Sequence, residues 1–188
     1  MPKMMSPANS IWWVPEEAVT DPDVDLFKAS LYTSTEGTPA AAIDISCAVV
    51  TGYTLNPTDS DTDDSRSICD EGNVDTPTRE NYEASLTFFR NAIDAGGTVG
   101  TTHVYDVAFN LFKAGRQAGE IGGYIVERLG YRQSTAVAAG QLLSAYKVIA
   151  DNPRNEVGDG DAPIQFTVPF FQQGWMRLNK AVADEVTP

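Results

Sequence analysis

The chain reads as a mainly β protein: an antiparallel two-sheet β-sandwich or open barrel with one flanking α-helix and one long acidic loop. Three observations predict it. Period-two alternation of apolar and polar residues recurs along the chain, only one stretch has helical spacing, and the connections are rich in Gly, Pro, Asp and Asn. At 188 residues a single domain, 1–188, is expected to bury its own core without staples. Within it an N-terminal arm, with an extra strand as the alternative, is expected over residues 1–40, the long loop over 56–78 and a C-terminal segment over 173–188.

The clearest strand places Tyr82, Ala84, Leu86 and Phe88 on one face, with Glu83, Ser85 and Thr87 between them. Ile43, Ile45, Cys47 and Val49 alternate in the same way, as do Ile164, Phe166, Val168 and Phe170. Pro169 within the last of these argues for an edge or a strand end, because it has no N–H to give a ladder. Residues 121–129 and 142–149 are apolar on both faces, as in strands packed on one side and covered on the other. Residues 102–113 break the pattern. There Val104, Ala108 and Leu111, flanked by Tyr105, Phe109 and Phe112, recur at helical spacing, with Asp106, Asn110 and Lys113 opposite. Thr101 or Thr102 is the expected cap of this helix and Gly115 its end.

Acidic residues number 26 against 13 basic, and the first hundred residues hold 17 of the former and only 5 of the latter. Phosphate neutralisation by Lys and Arg supplies most affinity for nucleic acids and anionic membranes, so tight binding to either is disfavoured. The plain reading of such a surface is solubility. The N terminus lacks the apolar core of an export signal, and no run approaches the roughly 20 apolar residues of a membrane helix, so neither export nor membrane insertion is expected. Cys47 and Cys69 have no metal-ligand spacing and read as reduced structural thiols, with a single bridge between them as the alternative.

No nucleophile elbow, P-loop, dinucleotide fingerprint or HExxH motif occurs, and the one histidine, His103, opens the helix without an evident catalytic partner. Glu83 and Glu127 could serve glycosidase chemistry only if the fold set them across a cleft. Neither enzymatic activity nor a cofactor is expected. Asp59, Asp61, Asp63 and Asp70 imitate positions of a calcium loop, but Asp64 stands where the turn needs Gly, Arg66 where the loop needs an apolar anchor, and Asp70 where it needs a bidentate Glu. Carboxylates two apart in an extended segment instead form a stripe on one side. Lining a channel, such a stripe would repel a passing polyanion. Trp12 and Trp13 are adjacent in an extended segment, so alternation against one sheet cannot bury both; Phe170, Phe171 and Trp175 pose the same problem near the C terminus. These five are the candidate subunit-interface aromatics, the alternative being that they close the ends of the core.

The stretch Arg79-Glu80-Asn81-Tyr82-Glu83-Ala84-Ser85-Leu86-Thr87-Phe88-Phe89-Arg90 resembles a strand of the major tail tube proteins of long-tailed, siphovirus-type actinobacteriophages. The surrounding order agrees over residues 40–172: Asp44-Ile45-Ser46 entering a strand, a polar excursion, this strand, one helix, and a last strand at Gln165-Phe166-Thr167-Val168-Pro169. The resemblance implies a structural virion protein, made in the host bacterial cytoplasm, whose copies form stacked rings of six around a channel for double-stranded DNA. It further implies a tape measure protein, a tail terminator and tail assembly chaperones as partners. By the same resemblance residues 56–78 match the loop by which one ring grips the next, with Asp59, Asp61, Asp63, Asp64, Arg66, Asp70 and Arg79 as inter-ring candidates. The lumen is the rival assignment for Asp59, Asp61 and Asp63, with the stacking contact favoured; Asp44 and Glu83 are then the lumen candidates. The rival class is a non-enzymatic binding module, a capsid decoration protein or a calcium-stabilised adhesin domain.

Overall fold

The two segments that are apolar on both faces lie at the middle of the sheet. The computed structural model describes residues 9–34, 40–63, 76–90, 103–156 and 163–183. Among them are strands β1 (Asn9–Pro15), β2 (Ile43–Asp44), β3 (Thr54–Asp63), β4 (Thr76–Phe89), β5 (Gly122–Leu129), β6 (Leu142–Ala150), β7 (Arg154–Glu156) and β8 (Gln165–Ala181), with helices α1 (Pro22–Asp25) and α2 (Val104–Phe112). The strands form one antiparallel sheet in the order β2-β1-β5-β6-β8-β4-β3, and β7 adds to β8. The sheet curls as an open barrel. Tyr53, just before β3, reaches across to β5 and β1, its hydroxyl donating to the Glu127 carboxylate and accepting from the Asn9 amide.

Curling gives the sheet an inner core of Ile11, Trp13, Ile45, Leu86, Phe88, Ile125, Val148, Phe166 and Val168, among others, onto which α2 lays Ala108 and Phe112. A second core lies on the other face of β1, β5 and β6. It contains Trp12, Val14, Tyr124, Val126, Leu143 and Ala145, covered by Leu26, Phe27, Val137 and Val182. This arrangement corrects the N-terminal arm. Residues 9–15 are a strand between β2 and β5, and residues after it wrap back over the sheet. Trp12 and Trp13 are 4% and 1% exposed because both faces of their strand are covered, a case that one-face alternation leaves out. The Asp23 carboxylate holds the wrap down, with Arg177 at 2.7 Å and Lys180 at 3.7 Å.

The C-terminal segment is likewise part of the sheet. β8 runs seventeen residues, bent by two irregularities against β6 where Gly174 and Asn179 adopt positive φ of 65° and 50°. Pro169 is inside a central strand, contrary to the edge or strand end expected for it. Its carbonyl accepts from Asp151 N–H, so its missing donor falls at the corner between β6 and β7, where no ladder rung is lost. The alternating stretch after Ile43 ends as a strand at Asp44, whose carboxylate takes the N–H of Ser46 at 2.9 Å and diverts the backbone into a 3₁₀ turn over Ser46–Ala48. Helix α2 lies within the expected span, but its cap is the His103 side chain, which accepts from Tyr105 N–H; Thr101 and Thr102 lie outside the described residues. Asp106, expected on the solvent side of the helix, is buried.

Arg128 is 0% exposed. Its guanidinium donates to the carbonyls of Arg132, Thr135 and Ala136, to the Gln141 side chain and to the Ser10 hydroxyl, and stands 5.1 Å over Trp12. One buried cation thereby pins the whole β5–β6 connection to β1. Arg128→Met should therefore unfold at markedly lower denaturant, by about 3 kcal/mol or more, because several carbonyls would lose a charged donor at once. Gly123 abuts Trp13, and a Cβ there would lie 2.5 Å from the Val14 carbonyl oxygen and 2.6 Å from the indole. Gly123→Ala should cost at least about 2 kcal/mol in the same unfolding measurement. Burial raises the Glu127 carboxyl above its ordinary 4.5, a shift that its bond from Tyr53 offsets only in part. A carboxyl raised in this way takes up a proton on folding, so it favours the folded state at low pH and that contribution is lost as pH rises through the folded value. Thermal melts of Glu127→Gln should match the native protein near pH 4 and lie at or above it near pH 8. Asp25 has the opposite sign: backbone N–H groups of Asp21 and Thr20 and the Lys28 ammonium lower it to about 2, so its contribution is present at neutral pH and fades towards pH 2.

Candidate assembly surface

The polar excursion expected as a loop is, in its described part, an antiparallel hairpin. Thr54 to Thr58 pair with Ser85 to Asn81, and Asp61, Thr62 and Asp63 stand opposite Arg79, Pro77 and Thr76. Residues 56–63 and 76–78 are strand, which corrects the loop boundaries. Their composition concealed them because from Asn56 to Asp63 and from Thr76 to Glu80 the side chains are exposed whichever way they point, so no apolar alternation is required. The root of the hairpin belongs to the barrel through Leu55, Tyr82 and Ala84; its outer part leaves the barrel and carries the acidic residues.

Two register shifts, one between Thr58 and Asp61 and one between Asp61 and Thr62, break the expected single acidic stripe. Asp61 shares the Arg79 face of β4, whereas Asp63 stands opposite Thr76 on the other. The Asp61 carboxylate accepts the Asn81 amide at 2.9 Å, and the Asp59 carbonyl accepts the same amide at 3.2 Å. Carboxylates spread along a strand in this way do not wrap a cation, and no group of three or more potential metal ligands occurs among the described residues. Asp64, Arg66 and Asp70 lie outside the described residues, as does Cys69; Cys47 is exposed.

The remaining candidates divide. Both oxygens of Asp44 are engaged within the subunit, by Ser46 and by the Gln133 amide at 2.7 Å. Glu83 is exposed on the face of β4 that points away from the core. Glu127 is buried on the core side of β5, so the two glutamates do not share a cleft and the carboxylate-pair chemistry has no site. Among the aromatics, Trp12, Trp13 and Phe170 are core residues of the subunit, which removes the exposure that suggested an interface; Trp13 and Phe170 both pack on Phe112. Trp175 is half-buried against Tyr124. Phe171 alone of the five is well exposed, at 48%, with Arg116 over its ring.

Gln172, which no sequence motif marks, bonds the backbone and side chain of β4 at the hairpin root. A polar contact between residues ninety positions apart leaves no trace in local spacing. The exposed features of this surface among the described residues are thus an edge strand with no partner on its outer side there, acidic side chains on both faces of the hairpin, and Glu83 at its base. Among the described residues no helix is long and apolar enough to cross a membrane.

A search of curated proteins finds no match. Among solved structures, a chain of the anti-feeding prophage baseplate, determined by cryo-electron microscopy with sixfold symmetrisation, shares the fold at a TM-score of 0.54 and 11% identity, with 99% of each chain covered. A type six secretion system protein aligns at a TM-score of 0.41 and 9% identity over 88% of this chain and 80% of that one. The family described as phage tail tube protein matches residues 2–185, nearly the whole sequence, and the chain belongs to that family of structural tail proteins.

Proposed function

We propose that this chain is the repeating subunit of a phage tail tube, in which rings of copies stack around a channel that passes double-stranded DNA. The observation that carries the reading is the β3–β4 hairpin. It projects from a well-packed barrel, buries little of its outer length and presents β3 as the edge strand among the described residues. An isolated monomer would gain nothing from an edge strand of ten residues of which the outer eight are exposed, and such edges are normally blunted because they recruit other strands. Carboxylates along the edge suppress indiscriminate pairing and leave pairing with a matching copy as the favoured outcome. Six copies per ring is the number proposed, supported by the sixfold baseplate from which the chain of similar fold comes.

Glu83 is the better lumen candidate, since Asp44 is engaged inside the subunit. An acidic wall offers duplex phosphates no cation to bind, so the duplex slides without adhering. Asp59, Asp61 and Asp63, with Arg79 opposite Asp61, serve the contact between rings in this reading, and Asp64, Arg66 and Asp70 join them. Phe171 is proposed as the aromatic that meets a neighbouring subunit. Family membership supports the tape measure protein, the tail terminator and the tail assembly chaperones as partners, a place in the virion after synthesis in the host cytoplasm, and a role without catalysis or cofactor.

Replacing residues 59–80 by Asn-Gly joins Thr58 to Asn81, a register pair, through a two-residue turn suited to a hairpin. Sedimentation velocity should show the shortened protein as a folded monomer at concentrations where the full chain forms large particles. Equal polymerisation of the two would contradict the proposed role of the hairpin.

A further inference from the structure

The ladder between β4 and β8 runs from Phe89 opposite Gln165 to Ala84 opposite Phe170 and stops there. Nearer the hairpin tip β8 turns away at the irregularity around Gly174. Even-numbered residues of β4 aim their backbone groups towards β8, as Arg90 N–H does to the Ile164 carbonyl and Tyr82 N–H to the Gln172 Oε1 atom. By the same alternation Glu80 and Thr78 aim theirs into an open cleft lined by Asp61, Arg79, Asn81, Gln172 and Gly174, where no backbone partner stands among the described residues.

Side chains take over where the ladder ends. Gln172 Oε1 accepts Tyr82 N–H at 2.9 Å, and Gln172 Nε2 donates to Asn81 Oδ1 at 3.2 Å. Asn81 in turn donates to Asp61 and to the Asp59 carbonyl, tying in the other arm of the hairpin. The Tyr82 hydroxyl donates to the Lys147 carbonyl of β6 and accepts Gln173 N–H at 2.8 Å. Its ring is buried, 5.5 Å from that of Tyr146. The geometry points to a latch: Tyr82 and Gln172 are positioning residues that set the direction in which the hairpin leaves the barrel, and so the pose in which it meets a second copy of this chain. The latch rests on the tail-tube reading for what the hairpin meets, not for how the hairpin is held. A polar latch can be re-set by small shifts of β8, whereas a full ladder would fix the hairpin rigidly to the sheet.

Hydrogen exchange of the unassembled full chain, read with sedimentation of the same samples, tests this. Tyr82→Phe keeps the buried ring and loses the hydroxyl; Gln172→Leu keeps side-chain bulk on an exposed residue and loses both bonds. Each should raise exchange about fivefold over residues 76–82, the effect of losing about 1 kcal/mol of hydrogen bonding, while exchange in β5 and β6 stays as it was. Each should also lower the sedimenting fraction several-fold. Thr87→Val, which removes the hydroxyl contact to Thr167 within the ladder, should change neither. Unchanged exchange over 76–82, or a rise shared equally by β5 and β6, would overturn the latch. Faster local exchange with undiminished assembly would overturn its positioning role. Local loosening in the variants of a native chain that never assembles would support the latch and count against the tube.

Discussion

A single sheet with both faces of β1, β5 and β6 buried is the constraint on which the remainder of the molecule depends. Trp12 and Trp13 express it in two adjacent residues, one ring in each core. Because both faces need cover, the curl of the sheet, α2 and the N-terminal wrap are required together. Full burial of a large apolar side chain contributes about 1.5–3 kcal/mol, so neither face could be left open without a large loss of stability. Two charged side chains buried in this body are held by polar partners, Arg128 through its two terminal nitrogens while its Nε has none among the described residues. Arg128 is held by carbonyls and Glu127 by a tyrosine hydroxyl, and each fixes a connection: the β5–β6 loop in one case, the approach to β3 in the other.

The hairpin is the exception, and its chemistry follows from leaving the body. From Asn56 to Asp63 and from Thr76 to Glu80 the side chains are exposed, so solubility rather than burial governs their composition. Carboxylates on both faces, an edge without a partner strand among the described residues and a side-chain latch in place of a ladder suit the proposed role of an element that a second copy completes. Division into a rigid barrel and a projecting hairpin suits a subunit that must hold its shape while joining others.

Much of this was legible in the sequence. The alternation of Tyr82, Ala84, Leu86 and Phe88, the doubly apolar strands β5 and β6, and the spacing of α2 all reflect burial, which local pattern records directly. Burial on a second face misleads the same method. Alternation assumes one covered face, so it leaves Trp12 and Trp13 as surplus aromatics and cannot decide between an arm and an extra strand for the segment that is β1. The outer hairpin strands were unreadable for the converse reason: a strand exposed on both sides carries no apolar period. Of the candidate site, the acidic region and Glu83 were visible, but the facing of Asp61 and Asp63 depends on two register shifts that no spacing rule foresees. Asp44 looked like a free strand carboxylate and is a turn former, and the bond between Gln172 and Tyr82 joins residues too far apart in sequence to be suspected.

Negative-stain electron microscopy of the purified chain, concentrated with and without high salt to screen repulsion among its carboxylates, tests the central claim most directly. Rings or hollow tubes with a central channel wide enough for duplex DNA are expected, more abundant when the carboxylates are screened. Dispersed single subunits under every salt and concentration, with the fold intact, would contradict it.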